Sequence, residues 1–415
     1  MKFGGTSVAD AQRIKRAAAR IVEKRNAGYG VVAVLSARGK TTDELIAMAE
    51  EVSSAPDPRE MDMLLSTGER ISCALCAMAI NDLGHRAISL TGSQAGIVTD
   101  TSHTKARILD VRADRVRAAL EQDHIVLVAG FQGVSTSDDV TTLGRGGSDT
   151  TAVAVAAAVG ARECEIYTDV AGVFSADPRI VPDARKLPTV SFEEMLEMAA
   201  SGAGVLQLRS VEYARNEGVR IHCRSSFEDA PGTVVLSEGE TLEQPIITAV
   251  THSTAEARVT LIGVPDEPGA AARIFDALGE ANVNVDMIAQ NVPTSAGGKA
   301  EISFTVPHED LRVATAALEA MGESVCERMA TQSEMGKVSI IGAGMRSHPG
   351  VAAKVFSVLA GEGINIEMIS TSPIKISCVI GRAHVERAVR ALHSAFELSG
   401  PGTLGVEEPF RARTG

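Results

Sequence analysis

From Lys2 to about Gly232, short apolar runs alternate with segments of helical periodicity. Val31-Val32-Ala33-Val34-Leu35 and Ile125-Val126-Leu127-Val128-Ala129 are unbroken apolar runs that end in small or glycine residues, the pattern of strands buried on both faces. Between them, Asp43 to Val52 and Leu64 to Leu83 read as helices, the second stopped by Gly84. The alternation predicts an α/β unit over residues 1–232, with helices covering both faces of a mostly parallel sheet. Lys2-Phe3-Gly4-Gly5 resembles the loop after a first strand, yet no strand precedes it. The chain therefore reads as starting too late, with a sheet edge exposed beside Lys2.

After Asp229-Ala230-Pro231-Gly232 comes a polar stretch, Ser237 to Gln244, so residues 233–254 read as a linker. An internal repeat follows. Val259-Thr-Leu-Ile-Gly263 returns as Val338-Ser-Ile-Ile-Gly342, and Pro268-Gly269 returns as Pro349-Gly350. The helix around Phe275 matches the helix around Phe356, and Asn284-Val-Asp-Met-Ile288 returns as Asn365-Ile-Glu-Met-Ile369. Each copy, 255–333 and 337–411, reads as strand, Pro-Gly turn, helix and strand, then a further strand, helix and strand: a ferredoxin-like βαββαβ unit. Repeats of this size pack against one another to share a core.

Composition narrows the chemistry. The formal charge is −13, from 53 acidic against 40 basic residues, and no basic run or aromatic platform is present, which argues against nucleic acid as a partner. Six cysteines are scattered without a disulfide framework, and Cys73-Ala-Leu-Cys76 sits in an apolar helical pattern as two small packed residues. The nine histidines show no ligand spacing, so no resident metal site is expected. No signal peptide is seen, and no apolar run approaches the roughly 20 residues of a membrane span. A reduced, cytoplasmic protein with no membrane partner is the expectation.

The strongest local signal is Thr142-Leu-Gly-Arg-Gly-Gly-Ser-Asp-Thr-Thr151, leading into a helix from Ala152 to Val159. Ser148 and Asp149 are good N-cap residues, the glycines let amides turn toward a ligand, and Arg145 offers a bidentate grip on an oxyanion. No Walker loop exists, so ATP would be held otherwise; Lys2-Phe-Gly-Gly-Thr-Ser7 places a cation beside glycines that permit close approach to phosphate. Gly342-Ala-Gly344-Met-Arg-Ser347 imitates a dinucleotide fingerprint, but Ser347 replaces its third glycine and Pro349 interrupts the helix that should follow.

Together, Lys2 to Val8, Ser66-Thr-Gly-Glu-Arg70, the loop Thr142 to Thr151, Tyr167-Thr-Asp-Val-Ala-Gly-Val-Phe-Ser-Ala-Asp-Pro-Arg179 and the C-terminal repeat closely resemble the aspartate kinases of the amino-acid kinase family, over essentially the whole chain. The resemblance implies an amino-acid kinase fold followed by two ferredoxin-like ACT domains. It implies transfer of the ATP γ-phosphate to the side-chain carboxylate of L-aspartate, with Mg²⁺, as the first step toward lysine, threonine and methionine. By resemblance, Lys2, Gly4 and Gly5 contact ATP phosphates with Ser36 nearby and Phe3 in the same cofactor-binding set, and Thr168, Asp169, Phe174, Ser175, Ala176, Asp177, Pro178 and Arg179 line the nucleotide. Thr42, Glu69, Arg145 and Ser148 hold aspartate, with Lys2, Arg145 and Asp149 the catalytic set. Effector contacts are implied at Asp266, Asn284, Val285, Asp286, Gln290, Val351, Ala352, Asn365, Ile366, Ser372 and Pro373, for lysine, threonine or both. The implied partner is a second copy, or a shorter ACT-containing subunit. The sequence departs from the family where Gly204 stands in place of a common Lys; Arg209 is a candidate to replace that charge. The competing readings are a kinase for another amino acid or nucleoside monophosphate, and an amino-acid sensor with a silent kinase half.

Overall fold

The computed structural model describes residues 1–237, 246–291, 299–322 and 325–400. Its N-terminal half is built on an eight-stranded sheet. The strand order is Thr189–Ser191, Thr233–Leu236, Arg220–Ser225, Glu163–Thr168, Lys2–Phe3, Val32–Leu35, Ile125–Ala129, Ala87–Leu90. Every pairing is parallel except that of Thr233–Leu236 with Arg220–Ser225. Ile125–Ala129 is buried at every position because both its faces are covered. Ile125, Leu127 and Ala129 pack with Ile14, Ile21, Cys76 and Ile80 of the helices Ala11–Asn26 and Thr67–Asp82, whereas Val126 and Val128 pack with Val153, Met195 and Val211 on the opposite side. The three-layer expectation holds. The first-strand expectation does not: Lys2–Phe3 is itself a strand, in register with Val34–Leu35 on one side and Ile166–Tyr167 on the other. It lies inside the sheet, not on an exposed edge, and the sequence hid it because it is only two residues long.

The helix expected over Leu64 to Leu83 is two, Pro58–Leu65 and Thr67–Asp82. Ser66 and Thr67 hydroxyls donate to the carbonyls of Met63 and Leu64 at the junction, the local competition that disturbs a helix ladder. This run, Pro58–Asp82, is long and apolar enough to cross a membrane by length and composition, contrary to the expectation that no segment approaches that length; half of its most apolar window is buried inside the protein.

The repeat forms one six-stranded antiparallel sheet, ordered Ile288–Asn291, Lys299–Pro307, Ala249–Pro265, Arg328–Ile341, Lys375–Gly381, Met368–Ser372. Two long strands serve both copies. In the first copy Glu256–Ile262 pairs with Arg328–Met335, and this latter strand fills the fourth-strand position. In the second, that position beside Lys337–Ile341 is filled by Ala249–Ser253, which precede the first copy in the chain. The second unit is therefore closed by a segment read as linker, and Thr233–Leu236, also read as linker, belongs to the kinase-half sheet. Linker residues 238–245 and residues 401–411 of the second copy lie outside the described residues.

The halves meet at buried and half-buried polar contacts. Glu194, in the helix Phe192–Ala200, forms a capping box with Ser191; its Oε1 also accepts from Thr248 Oγ1 at 2.6 Å and from the Ala343 amide at 3.0 Å. Lys375 pairs with Glu197 at 2.7 Å.

Candidate active site

In a parallel sheet the loops after the strands' C-terminal ends form the natural ligand crevice. Gly4-Gly5, Ser36, Gly130 and Thr168-Asp169 all follow such ends. The Gly4 amide donates to Tyr167 O, and the Ser36 amide to Phe3 O. Phe3 itself is buried, stacked on Tyr167 with ring centroids 4.8 Å apart, so it supports the strand and does not line an opening. A Cβ on Gly5 would stand 2.8 Å from Ala37 O, so only glycine lets these two loops meet.

Lys2 reaches into this crevice from below, and its Nζ lies 2.5 Å from Asp149 Oδ1, both side chains being nearly buried. Asp149 comes from the helix Gly147–Ala158, in which Gly147 to Ala156 are all buried. The N-cap is Gly146 in the left-handed region (φ 72°), not Ser148 or Asp149 as expected. Because the glycine takes the cap, Ser148 and Asp149 fall in the first turn with their side chains released toward the crevice. Ser148 packs against Gly130, where a Cβ would stand 2.8 Å from its Oγ.

Glu69 completes the centre. It is 3% exposed, and its Oε1 accepts from the Ala37 amide at 3.2 Å. Its Oε2 is buried without a hydrogen-bond partner. Burial pushes its pKa up to about 7, against the smaller opposing pull of backbone amides. A buried carboxylate with a free oxygen is suited to an ammonium group. Thr42, half-buried, lies in the first turn of the helix Thr41–Val52, which follows the Ala37–Gly39 loop.

The other predicted residues fall elsewhere. Arg145 is exposed and borders a separate cavity. Thr168 and Asp169 bond to one another at the strand end. Phe174 bridges to Lys186, and Asp177 is tied to Arg179 beside the exposed Pro178. Ser175 and Ala176 are buried against the second repeat unit. Ser175 Oγ lies 2.9 Å from His393 Nε2 and donates to Leu398 O, while Ala176 joins the apolar cluster of that unit. Arg209 does not stand in for the Lys absent at Gly204: its guanidinium is bonded to the carbonyls of Leu143 and Ala106. Asp62 was missed. Fully buried, it accepts from Thr142 Oγ1, the Thr104 amide and His103, anchoring the start of the glycine-rich loop. It lies outside both helices read from the sequence, so no local pattern singled it out.

The chain matches the amino acid kinase family over residues 1–225 and the ACT domain over 259–321 and 338–396. The aspartokinase of Mycolicibacterium smegmatis is 58% identical over 403 residues, which span 96% of each chain. The chain belongs to the aspartokinase family. A second family member, the aspartokinase of Corynebacterium glutamicum, is 51% identical with the same coverage of both chains. E. coli aspartokinase III in complex with aspartate and ADP, in its R-state, superposes with a TM-score of 0.82 at 26% identity, covering 95% of this chain and 98% of that one. The same E. coli aspartokinase with lysine and aspartate, in its T-state, gives 0.73 with equal coverage.

Proposed function

We propose that the chain transfers the γ-phosphate of ATP to the side-chain carboxylate of L-aspartate, giving 4-phospho-L-aspartate. The observation that supports this most is Glu69: a buried carboxylate with one oxygen unpartnered, in a crevice whose other members are a lysine, glycine amides and a hydroxyl. The attacking carboxylate is already ionised, so no general base is needed. What the reaction needs is alignment and neutralisation of charge between two anions. Lys2, oriented by Asp149, and the amides of Gly4 and Gly5 meet the phosphates. Glu69 takes the substrate ammonium, Ser148 and Arg145 its carboxylates, and Thr42 closes the pocket. Asp149 is the carboxylate that would help orient a Mg²⁺ carried in on ATP, which would supply neutralisation of charge on the phosphates.

The repeat is read as the amino-acid sensor of a cytoplasmic, feedback-inhibited enzyme. The lysine-bound E. coli relative supports lysine as an effector, and threonine is the second candidate. Val351 lines a cavity of about 530 Å³ at the start of the helix Val351–Gly361, together with His348, Lys354 and Arg185 of the kinase half. Ala352, Ile366 and Val285 are partly packed against apolar clusters, and Asp266, Asn284, Gln290, Asn365 and Pro373 are exposed, as effector contacts at a subunit boundary would be in a single chain. Ser372 ends the edge strand Met368–Ser372. That strand and Ile288–Asn291 leave both sheet edges open, favouring an oligomer in which ACT sheets join, with a second copy or a shorter ACT subunit. The silent-sensor alternative loses its main ground because Lys2 sits in a central strand.

The test is aspartate-dependent ADP formation with Mg²⁺-ATP, the acyl phosphate trapped by hydroxylamine, with and without lysine plus threonine. Turnover suppressed by those amino acids is expected. No turnover with effector binding intact would return the chain to the sensor reading.

A further inference from the structure

A cavity of about 660 Å³ opens beside the glycine-rich loop, and of the residues assigned above to ATP or aspartate it includes only Arg145. Backbone contacts build it. The Arg209 guanidinium, on the helix Leu208–Glu217, donates to Leu143 O at 3.0 Å and to Ala106 O at 2.9 Å. The Ala106 amide in turn donates to Thr142 O at 2.9 Å. Two short segments are thereby fixed side by side, and their next exposed cations, Arg107 and Arg145, border the same space as Arg209. Among the described residues neither the Arg107 nor the Arg145 guanidinium is hydrogen-bonded or ion-paired.

Glu212 is the one carboxylate on the wall. Asp100 acts on Arg209 from close by, but its Oδ1 accepts from the amides of Ser102 and Arg107, and Asp110 and Glu217 act on Tyr213 from outside the lining. Three guanidinia held around one concavity repel one another, and that repulsion is relieved when an oxyanion is gripped by their planar forks. The volume falls within the roughly 300–1,000 Å³ of small-molecule pockets and exceeds what a single inorganic ion fills. Ile108 and Tyr213 give apolar walls for a carbon skeleton, and Gln207 and Asn216 give amide groups.

The geometry points to a second ligand site here, for a small organic molecule carrying two or more carboxylate or phosphate groups. A ligand in this site holds Arg145 on the cavity side, away from the aspartate carboxylate, and so raises the KM for aspartate. That consequence rests on the function proposed above; the binding itself does not.

Citrate serves as the probe, titrated calorimetrically into the full chain at fixed ionic strength without ATP. One citrate per chain is expected, with Arg107→Gln weakening it by about tenfold or more, the worth of a charge-assisted contact. Arg107→Lys, which keeps the charge and loses the fork, should fall between the two, and thermal melts of each variant verify folding. Inorganic phosphate should compete more weakly than citrate. Absent citrate binding, or equal affinity in wild type and Arg107→Gln, would overturn the site. Phosphate binding as tightly as citrate would overturn the organic ligand class. In turnover, citrate should raise the aspartate KM of the wild type; an unchanged KM with citrate bound would overturn the sharing of Arg145. Loss of aspartate turnover altogether would sink the proposed function without touching the calorimetric result.

Discussion

Two buried lysines, one in each half of the chain, are treated differently. Lys337, in the long strand shared by both ACT units, lies 3.2 Å from Glu256 and 2.5 Å from Asp286. Burial works to lower its pKa, but the two carboxylates override that and hold the ammonium above its ordinary value. Its charge is fully answered from within the fold. Lys2 has Asp149 alone, with the unpartnered oxygen of Glu69 and glycine amides in the same crevice. A buried charge that is over-compensated fastens structure. A polar group left incomplete beside another marks a place where a ligand supplies what is missing. The repeat offers an internal control: Arg258, at the position equivalent to Lys337, pairs with Glu367, the equivalent of Asp286, at 3.1 Å, but its side chain is 23% exposed against 5% for Lys337. The two cations cross between copies in the same way, but only one is sealed from water.

The sharpest way to break this comparison is to remove each cation in turn. Lys2→Met should reduce kcat by about 10²–10³-fold, the cost of one lost electrostatic contact to a transferring group, and should also lower the unfolding midpoint because Asp149 is left buried and unpaired. Equal kcat losses for Lys2→Met and Lys337→Met would show that the distinction is false. Lys337→Met should leave kcat little changed while it destabilises the chain by about 3 kcal/mol, the low end for breaking a buried pair because Asp286 keeps partial contact with water. Denaturant unfolding measures it, and replacing Glu256 and Asp286 by apolar residues in the same variant should recover most of the loss.

Glu69 gives a pH signature that Lys337 cannot. Its folded-state pKa of about 7 lies above the ordinary 4.5, so the folded chain retains a proton that the unfolded chain releases. The stability this contributes is full below about 4.5 and is lost as pH rises through about 7. Only the ionised form holds an ammonium, so the aspartate KM should fall as pH rises toward 7, by up to about tenfold per pH unit on the acid side. Glu69→Gln should flatten that profile, and a wild-type KM independent of pH would remove Glu69 from the ammonium site. The smallest effect is expected from Arg258→Met. A partly exposed pair contributes at most about 1 kcal/mol, so a loss as large as that of Lys337→Met would show that burial is not what separates the two copies.

Much of this was legible in the chain. Ile125 to Ala129 announced a doubly covered strand because apolar residues without alternation leave no face for water. The repeat announced two similar units, since Val259 to Gly263 and Val338 to Gly342 share both sequence and spacing. Glu69, Ser148 and Asp149 were named in advance. Other features were not readable. Lys2–Phe3 is too short to show a period. Gly146 took the helix cap that Ser148 seemed made for, through a left-handed turn whose cost only the surrounding fold decides. Ser175, named for the nucleotide, is sealed under His393 of a distant helix.

The sequence by itself determined the elements, the faces they bury and the residue types able to handle phosphate and carboxylate, because periodicity and local backbone preference act over a few residues. Tertiary structure alone decided which of those residues meet. Lys2 and Asp149 are 2.5 Å apart, and Ala249–Ser253 close a unit that begins some eighty residues later, because strand pairing and helix packing join positions that no local pattern connects.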